Sequence, residues 1–106
     1  MSELVVSISF AITTHNETHS LVRLLKHINK HISGVDEIVI VDDYSTDPST
    51  LRILEDAKSI GSVYKRKLNG SYSNQKNYLN SKCTKNYIFQ IDADELPTKT
   101  LFKTLA

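Results

Sequence analysis

Apolar runs alternate with helical stripes along this chain. Leu4–Ile12 is rich in β-branched residues and predicts a buried first strand. A polar corner follows at Thr13–Glu17. From about Thr18 to Ile32, Leu21, Leu25, Ile28 and Ile32 recur at helical spacing, and Gly34 is placed to end that helix. Glu37–Val41 predicts a second strand that runs out at Asp42–Asp43. Asp47 then suits an N-cap, with Pro48 at the first helical position of a helix closed by Gly61. Ser62–Lys67 predicts a short third strand, Asn69–Gly70 a turn, and Ser73–Ser81 another helix. Tyr87–Ile91 predicts the fourth strand, and Thr98–Leu105 a further helix after Pro97.

Strands and helices in strict alternation imply an α/β, Rossmann-like parallel sheet with right-handed crossovers and helices on both faces. In such a sheet the strand ends fall on one edge, where ligands bind. That edge collects Thr13–Glu17, Asp42–Asp43 and Asp92–Asp94.

The strongest chemical signal is Ile88–Glu95, an apolar strand running into three acids around a single alanine. Clustered carboxylates at a strand end need a positive partner. A hard divalent cation, which prefers oxygen ligands and holds substrate phosphates, supplies one. The plainer alternative is a turn with an acid capping the next helix. The company of Glu95 and a second strand-terminal acidic pair favours the ligand site. An EF-hand loop is excluded, because the sixth position from Asp92 is Pro97 where glycine is required.

Asp42–Asp43 reads two ways: one carboxylate on backbone N–H groups and the other on a ligand, or a purely structural turn. Spacing alone leaves both open. Lys65–Arg66–Lys67 could neutralise a diphosphate or form a solvated charge run, and Gln75, Lys76 and Asn77 share that ambiguity. His27 and His31 stand four apart, toward the solvated side of the stripe and without an H-E-x-x-H pattern, which argues against zinc. His15 differs, because it sits in the strand-end corner. No G-x-G-x-x-G, P-loop or nucleophile-elbow pattern occurs.

Composition narrows the class further. A chain of 106 residues with 40% hydrophobic and 24% charged residues makes one ordinary globular domain. The net charge of +1 gives no reason to propose nucleic acid or an anionic membrane as partner. The lone Cys83 excludes an internal disulfide and fits a reducing compartment. No run reaches the roughly 20 residues of a membrane span. Leu4–Ile12 lacks the flanks of a signal peptide, so the expectation is a soluble, cytoplasmic chain.

With these motifs in hand, the chain resembles the nucleotide-binding half of family 2 glycosyltransferases of the GT-A fold. Ile12–Glu17 stands against that family's I-P-T-Y-N-E, and Ile40–Asp47 against V-V-D-D-G-S-T-D. Asp92–Ala93–Asp94 stands against its D-x-D. The stretch Asn69–Asn77, followed by Tyr87–Ile88, looks like the branch that includes lipopolysaccharide-core glucosyltransferases. The resemblance implies transfer of a sugar, with inversion, from a nucleoside-diphosphate sugar to the hydroxyl of a glycan or lipid-linked acceptor.

The same resemblance implies roles. Thr13 and His15 would line the base pocket, with His15 replacing a tyrosine, and Asp43, with Asp42 as a second candidate, would hydrogen-bond the base. Glu17, Arg66, Gln75 and Lys76 join the nucleotide-binding set. Asp92 would meet the ribose or the metal, and Asp94 would coordinate Mg²⁺ or Mn²⁺. Thr13 for the usual proline and Tyr44 for the usual glycine depart from the pattern and leave the nucleotide preference open.

In that family the acceptor site and the catalytic base lie beyond the D-x-D, so the base is expected beyond Ala106 and neither Asp92 nor Asp94 is cast as it. Residues 1–106 then read as an apparently truncated GT-A domain, the nucleotide-sugar-binding portion. One alternative is a non-catalytic nucleotide-sugar binder, self-associating through an exposed sheet edge. Another is a phosphoacceptor receiver domain, which would need its acidic pair on the first strand.

Overall fold

In the computed structural model, residues 6–94 are described, and the expected helix Thr98–Leu105, Glu95 and the start of the expected first strand lie outside them. Four strands form one parallel sheet in the order β3-β2-β1-β4, where β1 is Ile8–Thr14, β2 Glu37–Asp42, β3 Ser62–Lys65 and β4 Tyr87–Asp92. The helices between them are α1 (Thr18–Asn29), α2 (Pro48–Ala57) and α3 (Tyr72–Ser81). The chain steps outward from β1 to β3, then crosses back to place β4 on β1's other side. A parallel crossover keeps one hand, so reversing direction moves the helix to the opposite face.

Side-chain alternation makes two cores from one sheet. Ile8, Phe10 and Ile12 of β1 pack with Ile38 and Ile40 beneath Leu21, Leu24, Leu25 and Ile28 of α1 and Leu54 and Ala57 of α2. Ala11, Val39 and Val41 point the other way, onto Leu79 of α3. The second core is thinner, and Ser9 and Glu37 on its floor form a polar latch. Glu37 accepts from the Ser9 hydroxyl (2.6 Å) and the Thr84 N–H (2.6 Å), while the Ser9 oxygen accepts from the Lys85 N–H (3.2 Å). The approach to β4 is thereby pinned to β1 and β2.

Boundaries depart from the sequence expectation for physical reasons. The first strand extends two residues further, since Thr13 and Thr14 still pair with Val41, Asp42 and Asp92. At its start Val6 is 53% exposed and unpaired. α1 stops at Asn29 rather than Ile32, because its last turn tightens: the His31 and Ile32 N–H groups both donate to the Ile28 carbonyl (2.9 Å each). Gly34 is not left-handed and caps nothing. His27 is half-buried with its Nε2 inside, not on the solvated side as expected.

Gly61 does matter, since a Cβ there would stand 2.6 Å from the Ile38 carbonyl oxygen. Asp47 caps α2 through the Ser49 N–H (3.2 Å), and Ser71 caps α3 through the Asn74 N–H (3.2 Å).

Candidate functional site

The point where strand order reverses lies between β1 and β4, and their carboxyl ends splay there. The Ala93 N–H continues to the Thr13 carbonyl (2.9 Å), whereas the Asp43 N–H takes the Thr14 carbonyl (2.9 Å). The end of β1 is thus shared between its neighbours, and a cleft of about 320 Å³ opens above it. Thr13, Thr14, His15, Glu17, Asp43, Leu68, Tyr72, Gln75, Lys76, Asp92 and Asp94 line it.

Two loops are locked together at the rim. Asn16 adopts φ +49° and its side-chain carbonyl accepts from the Thr46 and Asp47 N–H groups (2.7 and 2.9 Å), while its own N–H reaches the Ser45 hydroxyl (2.9 Å). Asparagine tolerates that left-handed backbone better than most residues. Tyr44, in the place where the family pattern has glycine, also sits at φ +44°.

The Asp42–Asp43 pair divides its labour. Asp42 is 1% exposed, and its carboxylate accepts from the Ser45 N–H (3.0 Å) and the Ser45 hydroxyl. It shapes the loop and does not line the cleft. Asp43 faces the cleft and accepts from the Leu68 N–H (2.9 Å), which draws the loop after β3 over the pocket. His15 Nδ1 meets the Asp43 backbone carbonyl. A carbonyl only accepts, so Nδ1 carries the proton in this contact.

Arg66 is the other expected residue that the fold keeps out of the cleft. Strand alternation sends its side chain onto α3, where it lies 5.2 Å from the Tyr78 ring centroid and donates to Gln75 Oε1 (3.0 Å). Gln75 in turn donates to the Arg66 carbonyl (2.6 Å), so this buried amide holds the loop to the helix at the cleft floor.

Carboxylates dominate the cleft. The Thr13 hydroxyl donates to Asp92 (2.6 Å), fixing it, and Asp94 follows on the exposed turn. Burial pushes the Glu17 carboxyl above the ordinary glutamate value, a bond from the His15 N–H pulls it partly back, and the charges of Asp94 and Asp92 push it up again. Glu17, Asp43, Asp92 and Asp94 face one ammonium, Lys76, so the cleft is short of positive charge. Among the described residues no group of three or more metal-ligating side chains is assembled. Asp92 and Asp94 provide two hard oxygen donors. That set suits Mg²⁺ or Mn²⁺ completed by substrate phosphates rather than an all-protein cage.

Thr14, Leu68 and Tyr72 line the cleft without having been singled out. Thr14 stands where the I-P-T-Y-N-E pattern has its threonine, and that alignment was the available signal. Its hydroxyl is buried without a hydrogen-bond partner among the described residues. Leu68 and Tyr72 flank the Asn69–Gly70 turn (φ +50° and +75°), closed by the Ser71 N–H on the Leu68 carbonyl (3.0 Å).

Known proteins resemble this chain. A Rickettsia prowazekii protein described as an uncharacterized glycosyltransferase is 36% identical over 88 residues, covering 83% of this chain and 28% of the relative. One from Rickettsia bellii is 35% identical over 102 residues, covering 95% and 32%. The chain therefore spans about a third of the length of these relatives.

The S. aureus TarS 1–349 structure in complex with UDP superposes with a TM-score of 0.76 at 24% identity, over 94% of this chain and 31% of that one, which shows the fold. The mannosyltransferase PcManGT from Pyrobaculum calidifontis, in complex with GDP-Man and Mn²⁺, gives 0.69 at 25% identity, over 92% and 30%. A model of glycosyl transferase family 2 matches residues 9–106, and by sequence and by its GT-A-like fold this chain belongs to that family.

Proposed function

We propose that the cleft binds a nucleoside-diphosphate sugar, as the donor-binding portion of an enzyme that transfers the sugar, with inversion, to the hydroxyl of a glycan or lipid-linked acceptor. The observation that carries this reading is the cleft itself: base-sized, open at the strand reversal, and lined by carboxylates on the side of Asp92 and Asp94. An anionic diphosphate is repelled by that lining unless a cation joins it. When bound, Mg²⁺ or Mn²⁺ at Asp92 and Asp94 would stabilise the negative charge on the departing diphosphate.

The chain's own residues bind and orient. The His15 ring, oriented by the Asp43 carbonyl, provides a flat wall for the base, and the Asp43 carboxylate accepts from it. Thr13 holds Asp92 toward the ribose and the metal, and Lys76 reaches the diphosphate from α3. Asp42 and Arg66 support the loops and take no ligand. The segment Asn69–Asn77 further suggests an acceptor of the lipopolysaccharide-core class.

Calorimetric titration of UDP, GDP and dTDP, with and without Mn²⁺, tests the proposal on this chain and on Asp94→Ala. Metal-dependent binding of one nucleotide, lost in the variant, is the expected outcome. Failure of the folded chain to bind any of the three, with or without metal, refutes it.

A further inference from the structure

The net charge of +1 conceals a strong segregation. Residues 57–91 hold seven of the thirteen Lys and Arg residues, four of the five tyrosines, and no Asp or Glu. Part of this segment converges on β3, an edge strand of the sheet among the described residues. Lys82 sits 5.1 Å from the Tyr64 ring centroid and 5.2 Å from that of Tyr78, and those rings meet edge to face at 6.3 Å. Arg66 lies on Tyr78 (5.2 Å). Its neighbours Lys65 and Lys67 flank the exposed Tyr44 ring at 5.3 and 5.6 Å. The first group lies on the α3 side of the sheet and the second on the other, so the four cations and three tyrosines form a band only along the β3 edge strand they share. None of the four cations makes a salt bridge with a described carboxylate.

We propose that this band along β3 docks the protein on an anionic lipid bilayer. Uncompensated cations attract the negative surface of a membrane, and the exposed Tyr44 with Lys65 and Lys67 suits the headgroup layer, because each has an apolar body and a polar tip. Leu51, 38% exposed, shares a hollow with Tyr64 and Lys65 and offers apolar contact. Of the acids in that hollow, Asp42 is engaged by Ser45 and Glu55 by Lys58 (2.8 Å). A single-stranded nucleic acid fits less well. Stacking on bases needs open aromatic faces, whereas Tyr64 and Tyr78 pack on each other and are capped by cations. The band ends beside the cleft, since Leu68, which follows Lys67, binds Asp43. A membrane bound here lies next to the cleft mouth. The inference stands apart from the donor-binding proposal.

Vesicle co-sedimentation tests it, using phosphatidylcholine alone and phosphatidylcholine mixed with phosphatidylglycerol. Wild type should bind the mixed vesicles, lose them with added salt, and ignore the neutral ones. Lys65→Gln/Lys67→Gln/Lys82→Gln should weaken binding about a hundredfold, and Lys67→Gln alone about fivefold. Arg23→Gln/Lys26→Gln/Lys30→Gln, on the exposed side of α1 and at its C-cap, removes the same charge elsewhere and should change binding less than threefold, with melting curves confirming that every variant is folded. Equal losses in the two triple variants would overturn the proposal in favour of net charge alone. Absence of wild-type binding to mixed vesicles would overturn it outright, as would displacement from them by stoichiometric polyphosphate or single-stranded DNA.

Discussion

The adjacent acids Asp42 and Asp43 should respond in opposite ways to the same one-atom change. Asp42 is buried and its carboxylate accepts two hydrogen bonds from Ser45, itself 5% exposed. In Asp42→Asn one oxygen becomes an NH₂ group, which cannot accept, so one Ser45 donor loses its charged acceptor. Bonds to charged groups are worth about 1.5–3 kcal/mol, so a loss of about 2 kcal/mol and a drop in Tm of roughly 8–16 °C are expected.

Asp43→Asn keeps a carbonyl oxygen for the Leu68 N–H, so its stability loss should stay below about 1 kcal/mol. Its nucleotide affinity should nonetheless fall about tenfold or more, because the acceptor proposed to face the base loses its charge. Thermal melting by circular dichroism and calorimetric titration, run below both midpoints, read the two effects separately. Equal drops in Tm, or an affinity loss confined to Asp42→Asn, would refute the division of roles.

Further expectations concern the scaffold. Gly61→Ala should destabilise by about 1–3 kcal/mol in a denaturant titration, because its methyl meets the Ile38 backbone oxygen at 2.6 Å. Gly34→Ala has nothing within 4 Å and no left-handed φ, and should stabilise by about 0.4–1 kcal/mol, so matching signs would contradict the packing argument. Burial pushes Glu37 upward, but the bonds from Ser9 and Thr84 and the charge of Lys85 outweigh it and hold its pKa below the ordinary 4.5. Such a group stabilises the fold above pH 4.5 and loses that contribution as pH falls through its lowered value. Melting across pH 3 to 7 should therefore show a steeper acid-side fall in wild type than in Glu37→Gln, and parallel curves would show that the latch carries no titrating energy. Thr14→Val removes a buried hydroxyl without a partner among the described residues and should raise stability by about 1 kcal/mol, whereas a clear loss would mean that the hydroxyl is bonded in solution.

Much of this was legible from residue types. Strand ends rich in Asp and Thr predicted where the cleft would open, and Asp47–Pro48 predicted the start of α2. What spacing could not decide was which of two neighbouring carboxylates turns inward. That depends on Ser45, which becomes Asp42's partner only once the loop has closed. Arg66 was assigned to the ligand because cations suit phosphates, but side-chain alternation at the end of β3 aims it at Tyr78. Leu68 and Tyr72 carried no chemical mark, because their place follows from the crossover that brings α3 to the other face. The cationic band was hidden for another reason: a sum over the whole chain cancels what the fold keeps apart.

The strand order has a temporal side. β1 and β2 meet early, since their polar partners Ser9 and Glu37 are 28 residues apart, whereas Thr13 and Asp92 are separated by 79. On a ribosome that emits about 5–20 residues per second, β1 waits several seconds with one flank open before β4 arrives. Asp92, which lines the cleft, belongs to β4, the last of the described strands. On the proposed function, a nucleotide held in the cleft would fasten β4, the latest of the described strands to join.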